Sequence, residues 1–452
     1  MQYNAALQRM LKGIRSYFRT KKISCDFKYH LKGIELKSIK KWIIRQISKT
    51  KYGKALVSRL RSARKLKRVK AISAENEINP KKVIFSSFAG RKYACNPKAI
   101  YEYMINSPEF DDFEFVWGFR NAAAKAEFFD DKRTKFVKNG SLAFFKELAQ
   151  SKYWVFNYKT TKYFIKKEGQ VYLQCWHGTP LKRLGCDISI EDGNKANSLS
   201  DIHRLYIEES AKYDYFISPS AFCTEKFITA FALDKLHKED IILECGYPRN
   251  EALFTFETSQ VEAIKEKLGI PLDKKVILYA PTFRDNQYVK GQGNTYKLGM
   301  NLLRWQDYLS EDYVVLMRLH YLVSNSINVS QFEGFAYDVS QYDDINDLYI
   351  ISDMLITDYS SVFFDYANLK RPILFYMYDL EEYKNNIRDF YIDLDELPGP
   401  IAENESDLMD LIYNINNVAT EYQQCYRVFN EKYNYLDGPG VTEKIVKEFV
   451  GL

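Results

Sequence analysis

From Lys82 onward the chain alternates short apolar runs, rich in β-branched and aromatic residues, with stretches of helical periodicity. That alternation confines it to an α/β fold built on parallel sheets. The first runs are Val83-Ile84-Phe85, Phe113-Glu114-Phe115-Val116-Trp117, Tyr153-Trp154-Val155-Phe156, Val171-Tyr172-Leu173-Gln174, Tyr213–Ile217 and Ile241-Ile242-Leu243. Helices are predicted between them from Pro97, near 141–150, near 202–212 and from Ser220. Gly246-Tyr247-Pro248-Arg249-Asn250 is a turn cluster, and the helical pattern after it is stopped by Gly269 and Pro271, which places a hinge here. A second alternation follows: Lys275–Ala280, a polar loop over 286–295, a helix near 300–309, Tyr313–His320, a helix near 345–351, Asp353–Thr357, a helix from Ser360, and Pro372–Met377. The expected organisation is an arm over 1–81 and two Rossmann-like, doubly wound domains over 82–250 and 251–452, with a final helical stretch near 404–435 crossing back.

A length of 452 residues supports two to three domains with real cores. The net charge of +6 hides a division, because residues 1–82 hold 24 Lys/Arg against 4 Asp/Glu and the remainder holds 41 against 55. The seven cysteines form no CxxC pair and read as reduced, cytosolic residues. No run of 18 apolar residues occurs, and the first twenty residues lack the features of a signal peptide, so neither a membrane span nor export by that route is expected.

In the arm, Leu7, Leu11, Ile14 and Phe18 recur at helical spacing among Arg9, Lys12, Arg15 and Arg19. Lys40-Lys41-Trp42-Ile43-Ile44-Arg45 and the basic stretch Lys51–Lys70 continue the pattern. An aliphatic stripe flanked by cations suits the surface of an anionic membrane, with plain packing on the main body as the alternative and nucleic acid disfavoured.

The chemistry falls at strand tips. His177 follows the run Val171–Gln174 within Cys175-Trp176-His177-Gly178-Thr179-Pro180, and a histidine there can serve as a general base, although a lone His in such a turn is more often structural. Tips in the second half offer Thr282 and Arg284, Arg318 and His320, and Ser360 and Ser361. Hydroxyls and backbone N–H groups at the start of a helix suit a phosphate, while capping by Ser360 is the plainer reading. No HExxH, His-rich tract or isolated DxD is present, so no metal ligand and no cofactor is assigned, and Asp343-Asp344 reads as a helix cap.

Trp-His-Gly-Thr-Pro-Leu-Lys at 176–182, Ser-Pro-Ser at 218–220, Gly-Tyr-Pro-Arg-Asn at 246–250, Tyr-Ala-Pro-Thr-Phe-Arg-Asp at 279–285, Arg-Leu-His at 318–320 and Ile-Thr-Asp-Tyr-Ser-Ser at 356–361 occur in order. Arg-Pro-Ile-Leu-Phe-Tyr at 371–376, Asp-Leu-Glu-Glu-Tyr at 379–383 and Gly-Pro at 399–400 complete the series. This series resembles the CDP-glycerol glycerophosphotransferase family of teichoic acid primases and polymerases, strongly over about 170–400 and loosely over 82–170. The resemblance implies a GT-B-like fold, CDP-glycerol as donor, CMP as leaving group and an undecaprenyl-diphosphate-linked acceptor, at the cytoplasmic face of a bacterial membrane. It implies that His177 deprotonates the acceptor hydroxyl and that His320 is the second catalytic histidine, with Arg318 and His320 gripping the diphosphate. Arg249, Thr282, Arg284, Ser360, Ser361 and Asp365 become donor contacts, and Trp176, Gly178, Thr179, Pro180, Pro281, Thr357 and Asp358 join them as substrate-binding candidates.

Three other readings stay open: a CDP-ribitol donor, a GT-B glycosyltransferase using a nucleotide sugar, and a non-catalytic scaffold or nucleic-acid binder driven by the arm. Primase against polymerase, wall polymer against capsule, and a homo-oligomer are likewise open.

Overall fold

A computed structural model of the protein describes residues 48, 50–123, 125, 129, 131–189, 198–282, 288, 289, 293, 294, 299–319, 329–380 and 390–452. The amphipathic stretch over 1–47, Arg284 and His320 lie outside the described residues. Residues 69–452 form one compact unit. Its first sheet is built from β1 (Asn79–Ser86), β2 (Glu114–Phe119), β3 (Thr134–Lys138), β4 (Ser151–Phe156), β5 (Val171–Gln174), β6 (Tyr215–Ser218) and β7 (Ile242–Glu244). All pairings are parallel, in the order β3-β2-β1-β4-β5-β6-β7.

Why these runs become strands is visible in their two faces. Val83, Phe85, Phe115, Trp117, Tyr153, Val155 and Leu173 pack on one side of the sheet, while Ile84, Val116, Trp154, Phe156 and Tyr172 pack on the other. A parallel sheet covered by helices buries both faces, so its strands read as continuous apolar runs.

The second sheet holds β8 (Lys275–Ala280), β11 (Tyr313–Met317), β12 (Ala336–Asp338), β13 (Met354–Thr357), β14 (Ile373–Tyr376) and β15 (Ile401–Ala402), again all parallel, in the order β12-β11-β8-β13-β14-β15. Between β8 and β11, within the stretch read as a polar loop, β9 (Tyr288–Val289) and β10 (Gly293–Asn294) form a small antiparallel pair. The α/β class and the pair of parallel Rossmann-like sheets anticipated from the alternation are therefore present.

The stretch near 404–435 forms helices Glu405–Tyr413, Ile415–Glu421 and Gln423–Tyr433, whose Leu408, Ile412, Phe429 and Tyr433 pack into the cores of the second sheet. The return to the first sheet is completed further on by helix Val441–Val450. Its Val441, Ile445, Val446 and Phe449 join Ile100, Tyr101 and Met104 of helix Cys95–Asn106, and Tyr153 donates its hydroxyl to Val450 O at 3.2 Å.

Within residues 1–68 the described part is position 48 and the chain from 50, most of it the start of helix Lys51–Glu75. That helix carries Arg59, Arg61, Arg64, Lys65, Lys67, Arg68 and Lys70, with a mean hydropathy too low for insertion. Among the described residues no helix is long and apolar enough to cross a membrane.

The crossing helix ties the C-terminus to the first sheet, and Ile445 is fully buried there. Ile445→Ala should cost about 2–5 kcal/mol, because the cavity cannot collapse between two packed helices. Thermal unfolding followed by circular dichroism checks this, and an unchanged Tm would show that the helix is docked only loosely.

Candidate active site

In each sheet the strand order reverses once, between β1 and β4 in the first and between β8 and β13 in the second. Ligands of open α/β sheets bind beyond the C-terminal ends of strands at such points. Here both reversals open on one cleft of about 1110 Å³, lined by Phe88, Arg91, Lys92, Arg120 and Trp176–Leu181 from the first half and by Pro281, Thr282, Arg318, Ser360, Ser361 and Asp365 from the second.

His177 is held by its neighbours. β5 ends at Gln174, whose side-chain oxygen accepts the Trp176 N–H at 3.0 Å and folds the chain into a tight turn. Trp176 adopts φ +47, a left-handed conformation that costs a bulky residue about 1–3 kcal/mol and persists only where surroundings enforce it. The enforcement is packing: the buried indole lies against the His177 ring, tilted by 32° with centroids 4.1 Å apart, and meets Phe231 edge-on at 4.9 Å. His177 Nδ1 lies 2.7 Å from Asn157 O, a backbone acceptor at the tip of β4, so Nδ1 carries the proton and Nε2 is the basic nitrogen. Asn157 in turn accepts the Phe88 N–H at 2.8 Å, and Phe88, Ala89 and Gly90 all take positive φ in the loop after β1.

Desolvation among the cleft walls pulls the His177 pKa down to about 4, partly offset by the Asn157 bond and reinforced by the positive charges of Arg249, Arg91 and Lys159. The residue is nevertheless only half-buried and lines the cleft. At neutral pH it is an uncharged imidazole with a free acceptor position.

The opposite wall is built around β8 and β13. Asp358 accepts the Thr282 N–H at 2.7 Å and Thr357 donates to Ala280 O at 2.8 Å, so both buried residues lock these two tips together rather than lining the cleft. Pro281, Thr282, Ser360 and Ser361 do line it. Ser361 stands at the start of helix Val362–Tyr366 without capping it through its side chain. That helix is only five residues long, so the hydroxyls and loop N–H groups, not a helix dipole, are what this wall can offer. The two walls approach closely here: a Cβ added to Gly178 would stand 3.2 Å from Ser361 Oγ and 3.7 Å from Arg249 Nη2. Thr179 and Pro180 are buried in the same turn.

Arg249 and Asp365, both expected to contact substrate, pair with each other. Arg249 Nη2 donates to the two Asp365 oxygens at 2.9 and 2.7 Å, and Nη1 reaches Cys95 Sγ at 3.0 Å, in a buried position at the rear of the cleft. Arg318 donates through Nη1 to the carbonyls of Val339, Ser340 and Tyr342, at 2.6, 3.1 and 2.7 Å, and so supports the loop after β12 while lining the cleft. That loop also receives Lys92, whose ammonium donates to Gln341 O and Tyr342 O at 2.6 and 2.8 Å. Burial, with Arg318 nearby, lowers Lys92 to about 8. Asp344 caps helix Ile345–Ile351 as its sequence position suggested, and it also pairs with Lys98 at 2.7 Å, while Asp343 pairs with Lys125.

Sequence reasoning missed Asn96 and Gln174, whose buried side-chain amides hold the histidine turn, and Asn157, whose backbone carbonyl holds the ring. Asn157 directly follows an apolar strand run, a placement that could have marked it; nothing in the sequence distinguishes Asn96. Among the described residues no group of His, Cys, Asp and Glu could hold a metal ion.

Two parallel Rossmann-like sheets sharing one cation-lined cleft define a GT-B-like protein. Residues 68–451 match the family model described as CDP-Glycerol:Poly(glycerophosphate) glycerophosphotransferase, and the chain belongs to that family. It is 39% identical over 424 residues to the teichoic acid poly(glycerol phosphate) polymerase of Bacillus subtilis (strain 168), covering 93% of this chain but only 54% of that protein. It is 39% identical to the teichoic acid glycerol-phosphate transferase of Staphylococcus aureus (strain NCTC 8325 / PS 47), covering 81% of this chain and 92% of that one. Among solved structures, a histidine variant of the wall teichoic acid polymerase TagF soaked with CDPG superposes with a TM-score of 0.79 at 36% identity, covering 87% of this chain and 95% of that chain.

Removing one member of the Arg249–Asp365 pair strands a buried charge. Arg249→Met should therefore destabilise the protein by about 3–5 kcal/mol, and the double variant Arg249→Met with Asp365→Leu should recover much of that loss. Denaturant midpoints of the three proteins check this; equal losses in the single and double variants would mean that packing, not charge, holds the contact.

Proposed function

We propose that this chain transfers glycerol phosphate from CDP-glycerol to an acceptor hydroxyl and releases CMP, with His177 as the base. The observation that carries this is the neutral His177, its Nδ1–H committed to Asn157 O, standing in a cationic cleft opposite Ser360 and Ser361. In the reaction the acceptor oxygen forms a bond to the β-phosphorus as that phosphorus loses its bond to the bridging oxygen. The hydroxyl proton passes to Nε2 of His177, and CMP departs with the bonding pair. Cations around the cleft offset the charge that grows on the leaving CMP, and no covalent enzyme intermediate is needed. Thr282, Ser360, Ser361 and Arg318 line the donor side, with Arg284 and His320 assigned there by the sequence resemblance.

Four relatives named for glycerol phosphate align at 38–39% identity over at least 81% of this chain, and one named as a glycerol-phosphate primase at 31% over 57%, whereas those named for ribitol phosphate align at 27% over 81–82% or at 32% over 47%; the long alignments favour the glycerol donor. The acceptor is assigned as a membrane-bound, undecaprenyl-diphosphate-linked saccharide, and the basic segment ahead of residue 69 as the part that holds the chain at an anionic surface. Co-sedimentation with anionic vesicles should fall on removal of residues 1–68, and equal pelleting would remove the segment from that role.

CMP release should be measured with CDP-glycerol, CDP-ribitol and a UDP-sugar, with a lipid-linked disaccharide as acceptor. CDP-glycerol should be preferred, and His177→Ala should lower turnover by roughly a hundredfold or more while CDP-glycerol still binds. Near-normal release by that variant excludes His177 as the base. The pH profile carries the sign of the shift: a folded pKa of about 4, below the usual 6.5, keeps His177 unprotonated, so kcat/KM should persist below pH 6.5 and fall as pH approaches about 4. By the same linkage the fold resists protonating His177, so its contribution to stability is present above pH 6.5 and is lost as pH falls toward 4.

A further inference from the structure

We infer that Asn96 is a positioning residue for His177, holding the turn before the histidine in register with the buried contact between the two walls of the cleft. The inference rests on His177 being the base. Asn96 is fully buried in the first turn of helix Cys95–Asn106. Its Nδ2 donates to Cys175 O at 2.9 Å and lies 3.4 Å from Trp176 O, the two carbonyls that immediately precede His177. Its Oδ1 accepts the Arg249 N–H at 3.2 Å. One amide thus joins the backbone of the histidine turn to the backbone of the residue whose side chain grips Asp365 on the other wall. Asn346 of helix Ile345–Ile351 donates to Arg249 O, so Arg249 is bound from both halves at its own main chain.

Gln174 and Asn157 also hold the histidine, but both belong to the first half alone. Asn96 is the member of the set that refers the turn to Arg249, and through it to Asp365. The turn needs such a hold because Trp176 is in a left-handed conformation that the chain would leave if released. Losing the amide leaves two buried carbonyls short of a donor and Arg249 N–H short of an acceptor, so the cheapest relaxation moves the Trp176-His177 segment.

The test uses the full chain. Asn96→Ala and Asn96→Ser should each lower kcat for CMP release at least tenfold, with KM for CDP-glycerol within twofold of the parent. In a His177→Ala background neither should cost anything further, because a residue that acts through His177 has nothing left to position. Independently of catalysis, the His177 imidazole resonance should titrate near pH 4 in the parent and move toward 6.5 in Asn96→Ala as the ring leaves its desolvated seat. Unchanged kcat, an equal further loss in the His177→Ala background, or failure of both variants to fold would overturn the positioning role. A parent that releases no CMP from any donor sinks the proposed reaction; with such a parent, an unmoved titration in Asn96→Ala would overturn the positioning role separately.

Discussion

The contact on which the site depends is the buried pair of Arg249 and Asp365. Arg249 sits in the turn that follows the first sheet, Asp365 in the short helix that follows β13, and together they fix where the tips of one sheet stand against the tips of the other. Neither charge is affordable alone in that position, so the pair is accompanied by amides: Asn250 donates to Asp365 at 3.1 Å and to Asp437 at 2.7 Å, and Asn368 donates to Asp437 at 2.9 Å. Burial pushes Asp437 up to about 6 despite those donors and the Tyr247 N–H. A buried polar network rigidifies to the extent that its members are partnered, and here the guanidinium, carboxylate and amide donors are paired while Arg249 Nε and Asn250 Oδ1 have no hydrogen-bond partner among the described residues.

The turn beside that network carries local strain. The chain bends sharply after β5 because Trp176 adopts a backbone conformation that a tryptophan rarely takes, and the bend presents His177 to the cleft instead of burying it. Packing of the indole on Phe231 and bonds from Gln174, Asn96 and Asn157 hold this arrangement. Strain of this sort persists where surrounding structure over-determines the backbone, and in the proposed chemistry it places the base.

Much of the fold was legible in the sequence because a parallel sheet with both faces covered writes its strands as unbroken apolar runs. β1, β4, β5, β8 and β11 all announce themselves this way. β3 does not: Thr134-Lys135-Phe136-Val137-Lys138 lies at a sheet edge with only Val137 buried, so its composition follows solvent. β12 and β15 are too short, at three and two residues, to carry a pattern. Within the site, His177, Ser360 and Thr282 were visible as polar residues ending apolar runs. Arg249 and Asp365 were visible as charged residues, but not as partners of each other, since their pairing spans 116 positions and is decided only by packing.

The electrostatics of the cleft resolve an apparent conflict in the proposed chemistry. A histidine with a pKa near 4 is a weak base, and part of that weakness comes from Arg249, Arg91 and Lys159. In the proposed chemistry, cations of this kind would also draw a nucleotide diphosphate into the cleft, where its negative charge would cancel part of their field at the imidazole. In that reading donor binding strengthens the base at the moment a proton must be taken, while before it His177 is neutral near pH 7. In that reading, transfer of the proton leaves a positive imidazolium on the side of the attacking oxygen, facing the negative charge of the phosphoryl group in transfer, and the two charges stabilise each other in a low-dielectric space. The desolvation that depresses the His177 pKa is thus, in the proposed chemistry, the same property that makes this charge pair effective.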